Sequence, residues 1–157
     1  LRESPDVILL GEMRDLEAIS AALTAAETGH LVLSTLHSGS ASAAVNRIVD
    51  VFPGHQQAHV RTQLSLSLRA VLSQRLIPSR SGSLVPAIEK LMVTPAVASG
   101  IREGQDHFMR NAMLTGSEDG MVPLERSLAN LVRDRLVDRE AALRVATDAS
   151  LLTHLLD

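Results

Sequence analysis

"DVILLGEMRD", residues Asp6 to Asp15, runs four aliphatic side chains together, stops at Gly11, and turns polar through Glu12, Arg14 and Asp15. An unbroken aliphatic run between Pro5-Asp6 and a glycine predicts a short strand buried on both faces. From Asp15 the period changes, and Leu16, Ile19, Leu23 and Ala26 recur at helical spacing. Asp15 suits the helix cap, Glu17 the positive first turn, and Gly29 a left-handed stop. "LVLST", Leu31 to Thr35, predicts a second strand ending in Leu36-His37-Ser38-Gly39, and a second helix follows from about Ser40 to Phe52. Strand, helix, strand, helix in so short a span predicts an α/β fold, a parallel sheet wrapped by helices through right-handed crossovers. In such sheets ligands sit outside the carboxyl ends of the strands. Both polar interruptions, Gly11-Glu12 and Thr35-Leu36-His37, fall at those ends.

The second half reads differently. A long amphipathic helix from about His55 to Gln74 is expected to place Val60, Leu64, Leu68 and Val71 on one face. "PSRSGS", Pro78 to Ser83, is a turn between Ser73–Ile77 and Leu84–Val93, which predicts an antiparallel hairpin. Thr94-Pro95 pairs a cap with a proline at the first helical position. The remainder is expected to be helical, with breaks near Gly100–Gly104, Gly116–Gly120 and Val137-Asp138. The expected organisation is thus an α/β part over 1–93 and a helical subdomain over 94–157.

Composition narrows the function classes. A chain of 157 residues suits one or two compact units. It begins at Leu1 and meets its first strand at once, so it is read as a piece of something longer. Hydrophobic residues at 45% and charged residues at 21% belong to globular rather than disordered proteins. With two Phe and no Trp or Tyr, the core must be built from Leu, Val, Ile, Ala and Met, and no aromatic platform is available for stacking bases. A net charge of −3 without a basic block leaves no electrostatic footprint for nucleic acid, so no nucleic-acid partner is expected. Zero cysteines exclude a disulfide frame, a thiolate zinc site and a cysteine nucleophile. No apolar run approaches the about 20 residues of a membrane-spanning helix, and no signal peptide is visible. A cytosolic protein is the simplest reading.

Two residues stand out for chemistry. A carboxylate at the carboxyl end of a buried parallel strand, as at Glu12, is where nucleotide-hydrolysing enzymes place the acid that orients Mg²⁺ or the attacking water. The same pattern also fits an ordinary strand-to-helix turn with a solvated glutamate. An imidazole at the end of the next strand, His37, could sense a γ-phosphate or polarise a water, and equally could be a satisfied structural histidine. Adjacent parallel strands would bring Glu12 and His37 to one sheet edge, which strengthens both functional readings together. His55 and His59 have metal-chelating spacing on a helix, but no third ligand is suggested and both are expected in solvent. Ser38-Gly39-Ser40 lacks the Gly-x-Ser-x-Gly of a nucleophile turn, and Ser40 reads as a helix cap. Arg14 and Asp15 are expected to pair with each other or bridge to a neighbouring subunit, with Asp15 as a plain cap the simpler alternative.

"LRESPDVILLGEMRD", "AALTAAETGHLVLSTLHSGSA", "RIVDVFP", "LSQRLIP" and "IREGQ", in this order, resemble the secretion-ATPase superfamily, and within it the PilT-like twitching-motility ATPases of type IV pili. The resemblance covers about the first 115 residues, and "GMVPLERSLANLV" still resembles the family's helical tail. It implies the carboxy-terminal part of a RecA-like P-loop NTPase core followed by that tail. It also implies a homo-hexameric ring that uses ATP and Mg²⁺ to retract a pilus. Such a ring works peripherally at the cytoplasmic face of the bacterial inner membrane, against a membrane platform protein. In that family Gly11-Glu12 would end the Walker B strand, with Glu12 as the catalytic acid that positions water and meets Mg²⁺ indirectly through water. Thr35-Leu36-His37 would be the histidine box, with His37 near the γ-phosphate and Gly11 and Thr35 at the nucleotide. Arg14 and Asp15 become candidates for the subunit interface. Leu1-Arg2-Glu3 resembles the end of a longer segment associated with the retraction group.

The departures also carry expectations. The family's phosphate loop, ending in Gly-Lys-Ser/Thr, does not occur in these 157 residues. Its acidic box and PAS-like domain are missing too, and all three precede the Walker B strand in the family. The fragment alone is therefore expected to be inactive and its parent to be the enzyme, because nothing here would hold the β- and γ-phosphates in register with Glu12. Pilus-assembly and type II secretion ATPases are the alternative enzymes. They typically carry a four-cysteine zinc insertion after the histidine box, which zero cysteines disfavours. A non-catalytic accessory ring subunit is the alternative from another class.

Overall fold

Why Glu12 and His37 share an edge is a matter of register. In the computed structural model, which describes residues 5–157, β1 (Val7–Glu12) and β2 (Leu31–Thr35) pair in parallel, joined by the crossover helix α1 (Leu16–Glu27). Val7 stands opposite Leu31 and Leu9 opposite Leu33, and after an irregularity Glu12 stands opposite Thr35. The reading of Leu1-Arg2-Glu3 lies outside the described residues. Asp15 caps α1, accepting from the Ala18 N–H at 2.9 Å, and Gly29 takes the left-handed conformation at φ 97°. Ser40 caps α2 (Ala41–Asp50), accepting from the Ala43 N–H.

Within the described residues, one face of the strand expected to be buried on both faces is uncovered. Leu9 is 79% exposed, and Val7, Leu31 and Leu33 are each about half exposed. The alternation of the pleat explains it, since Ile8, Leu10 and Val32 on the other face are only partly exposed and α1 lies against β2.

The described residues form two compact units. The first takes the residues up to Arg69 with Val93–Arg110, the second Ala70–Met92 with Asn111–Asp157. In the first, α3 (Gly54–Ser67) lies against α1, α2 and α4 (Pro95–Glu103), with Val60, Leu64, Val97 and Ile101 buried. Arg61 ties these helices together: it donates to the Ile101 carbonyl and to Asn46, whose amide donates to Asp106. Asp106 opens α5 (Asp106–Thr115).

The second unit is built on the antiparallel hairpin β3 (Ala70–Pro78) and β4 (Leu84–Met92) with α6 (Leu124–Arg133), α7 (Arg139–Val145) and α8 (Ala149–Leu156). The hairpin was expected from the turn at Pro78–Ser83, but the helix expected to reach Gln74 ends at Ser67. Val71 belongs to β3, where Ser73 and Ile77 are buried while Leu72 and Leu76 stay exposed, a period of two. The spacing of Val60, Leu64, Leu68 and Val71 fits a helix, yet from Ala70↔Met92 onward the chain pairs with β4 instead. The units cut across the division expected at 93/94, because Ile77 and Ala87 of the hairpin bury against Leu124, Leu128 and Ala142 of the helices.

The cap separates two roles for Asp15. Asp15→Ala is expected to cost about 1 kcal/mol through the lost bond to Ala18, read as a lower denaturant midpoint with an unchanged assembly size. A change of assembly state at constant stability would instead make Asp15 an interface residue.

Candidate active site

The end of β1 is held by backbone and hydroxyl bonds. The Gly11 carbonyl accepts from both Ser34 and Thr35 hydroxyls at 3.1 Å, and the Met13 N–H donates to the Thr35 carbonyl at 3.0 Å. Gly11 and Thr35, expected at the nucleotide, thus bond each other and fix the spacing of the two strand ends. Ser34 takes part equally; its alternation with Thr35 gave no signal in the sequence.

On that pinned edge Glu12 and His37 meet. His37 Nε2 lies 3.3 Å from Glu12 Oε1. The other carboxylate oxygen, Oε2, accepts from Arg14 Nε at 2.7 Å and Nη2 at 2.5 Å. Arg14 therefore pairs with Glu12, not with Asp15, which is occupied as the cap. Glu12 sits 23% exposed at its side chain, whereas His37 and Arg14 project into solvent. The Arg14 hydrogen bond holds the Glu12 carboxyl below the usual glutamate range against a smaller opposing push from burial, with the charges of Arg14, His37 and Arg47 acting the same way as the bond. Reciprocally, Glu12 raises Arg14.

Beside this pair lies a cavity of about 650 Å³ lined by Met13, Arg14, His37, Ser38, Asn46 and Arg47, among others. Glu12 is not among its lining residues, but both of its partners are. Asn46 and Arg47 are two polar positions of an amphipathic helix, and only the fold turns them toward the strand ends. His55 and His59 are exposed, and among the described residues no group of three or more His, Asp or Glu is placed to hold a metal ion. A carboxylate, a guanidinium and an imidazole thus meet at one strand edge beside the cavity.

Comparison with known proteins gives three findings. The family described as Type II/IV secretion system protein matches residues 1–138. The chain is 51% identical over 142 residues to the "Type IV pilus retractation ATPase PilT" of Pseudomonas aeruginosa, covering 90% of this chain and 41% of that protein, and 49% identical over 150 residues to a "Twitching motility protein" of Neisseria gonorrhoeae, covering 95% and 40%. It is similar to the crystal structure of the pilus retraction motor PilT with bound ADP, with a TM-score of 0.87 and 41% identity over 98% of this chain and 43% of that one. The chain thus spans about two fifths of the length of these relatives. At that agreement the expected fold, the later part of a RecA-like core with a helical tail, is borne out.

Proposed function

The chain belongs to the family of type II/IV secretion system proteins, and from that premise we propose that it supplies the Walker B and histidine-box part of an ATPase motor that retracts type IV pili. The observation that carries this is the convergence of Glu12 and His37, 3.3 Å apart, at the shared carboxyl end of two parallel strands beside a cavity that Arg14, Arg47 and Asp50 line. Similarity to a retraction ATPase over nine tenths of the chain supports the direction of the motor.

In this reading Glu12 orients and deprotonates a water. The water oxygen forms a bond to the γ-phosphorus, and the bond from that phosphorus to the bridging oxygen breaks with its electron pair leaving on ADP. The proton taken by Glu12 passes to the inorganic phosphate released. His37 stands beside the same carboxylate and orients the terminal phosphate. Mg²⁺ usually keeps several waters and takes one or two carboxylates plus phosphate oxygens, so a single acid of this kind fits it, with Glu12 holding it through water. The ion would neutralise charge on the phosphates. No Gly-Lys-Ser/Thr loop occurs in this sequence, so the phosphate cradle comes from outside these residues and the 157 residues alone are inactive. The assembly is a homo-hexamer at the inner face of the membrane, working against a platform protein; no helix among the described residues is long and apolar enough to cross a membrane.

Release of phosphate from ATP by the complete gene product is the test. Turnover is the expected result. A protein that assembles into rings without turnover would make it an accessory subunit.

A further inference from the structure

Resting on that reading of Glu12, we propose that Arg14 is a gate on the carboxylate: it holds Glu12 while no nucleotide is bound and transfers to the terminal phosphate of an incoming nucleoside triphosphate. The geometry points to this in three ways. First, Glu12 Oε2 is taken by two nitrogens of Arg14, while Oε1 has His37 Nε2 3.3 Å away. Oε2, taken by two donors, has no accepting capacity left for a water, so Arg14 must leave before that oxygen can act. Second, the backbone on either side of Arg14 is fixed, by the Met13 bond to Thr35 and by the Asp15 cap, while the Arg14 side chain itself is 76% exposed. Only the side chain needs to move, and an exposed ion pair of this kind is weak enough to exchange. Third, Arg14 lines the neighbouring cavity whereas Glu12 does not. The guanidinium is therefore shared between an acid and a space where Arg14 and Arg47 outnumber the one carboxylate, Asp50, and its planar fork matches phosphate as well as carboxylate.

The pair explains a further point. A terminal phosphate carries more negative charge than one carboxylate and competes for Arg14, so arrival of the triphosphate both fills the site and frees its acid. A diphosphate lacks the group that draws Arg14 away, and Glu12 stays held after product forms. His37 and Arg47, the other groups acting on Glu12, remain in place during the exchange.

The test uses the complete gene product and its Arg14→Ala and Arg14→Lys variants, with equilibrium binding of ADP and of a non-hydrolysable ATP analogue. Arg14→Ala is expected to weaken the triphosphate analogue by about tenfold and leave ADP unchanged, with Arg14→Lys recovering part of the loss. An equal loss for both nucleotides, or none for either, overturns the gate. The pH–rate profile provides a second reading, since kcat/KM reports groups in the free enzyme and kcat those in the complex. Arg14→Ala should move the acid limb of kcat/KM to higher pH, because Glu12 loses the partner that lowers it, and leave that of kcat in place. Limbs that move together would make Arg14 a static partner of Glu12. A wild-type protein that binds both nucleotides but hydrolyses no ATP would remove the catalytic reading of Glu12 and the gate with it, whereas an active wild type with unselective variants removes the gate alone.

Discussion

Glu12→Gln in the complete protein is expected to lower ATP turnover by about 10²–10⁴-fold, the range for removing a positioned general base, while nucleotide affinity stays within a few-fold of wild type. The amide keeps the size of the carboxylate and one accepting oxygen, so the strand end and its bonds from Ser34 and Thr35 to Gly11 are undisturbed. What is lost is the charge and the ability to take a proton from water. Losing turnover with binding intact is the signature of an interaction made in the transition state. Steady-state phosphate release beside nucleotide binding measures it, and a variant that retains more than about a tenth of the turnover would remove Glu12 from that role. The same substitution removes the charged partner of Arg14, so a normal assembly state alongside the lost turnover is needed to assign the effect to chemistry.

Much of this site could be read from sequence because its signals are local. The aliphatic run before Gly11, the switch to helical spacing at Asp15, and "LVLST" before His37 fix two parallel strands and their carboxyl ends, and from there the meeting of Glu12 and His37 follows from topology. The cap residues Asp15, Ser40 and Thr94 were legible for the same reason, each bonding an N–H three residues ahead. What escaped was set by partners distant in the chain. Nothing local says that Arg14 turns back to Glu12 rather than forward to Asp15. Arg47 and Asn46 are ordinary polar positions until α2 is laid beside the strand ends. The end of α3 at Ser67 was misjudged because residues 68–71 satisfy a helical spacing locally, and only the β4 ladder, a partner more than ten residues on, decides for a strand.

The second unit offers a test of the same kind, a polar residue whose role only the fold reveals. Glu125 stands in the first turn of α6 and is 5% exposed; its Oε1 accepts from the backbone N–H groups of Thr147 and Asp148 at 3.1 and 2.9 Å. Those two amides lead into α8, whose first turn is capped by Asp148 through Leu151. The carboxylate thus anchors the α7–α8 connection to α6, beside the buried Leu124, Leu128, Ala142 and Leu152. Burying a carboxylate is unfavourable unless it is hydrogen-bonded, and here one oxygen satisfies two donors that would otherwise be orphaned. Glu125→Ala leaves both donors without an acceptor and opens space beneath α8, so a loss of about 2–5 kcal/mol is expected. Glu125→Gln retains an accepting oxygen of nearly the same reach and should cost less than half of that. Hydrogen exchange at Thr147, Asp148 and the amides of α8, together with denaturant unfolding of the complete protein, measures both. If the alanine variant unfolds within about 0.5 kcal/mol of wild type, or if protection is lost in α1 and β2 as much as in α8, then Glu125 is not the anchor of this connection.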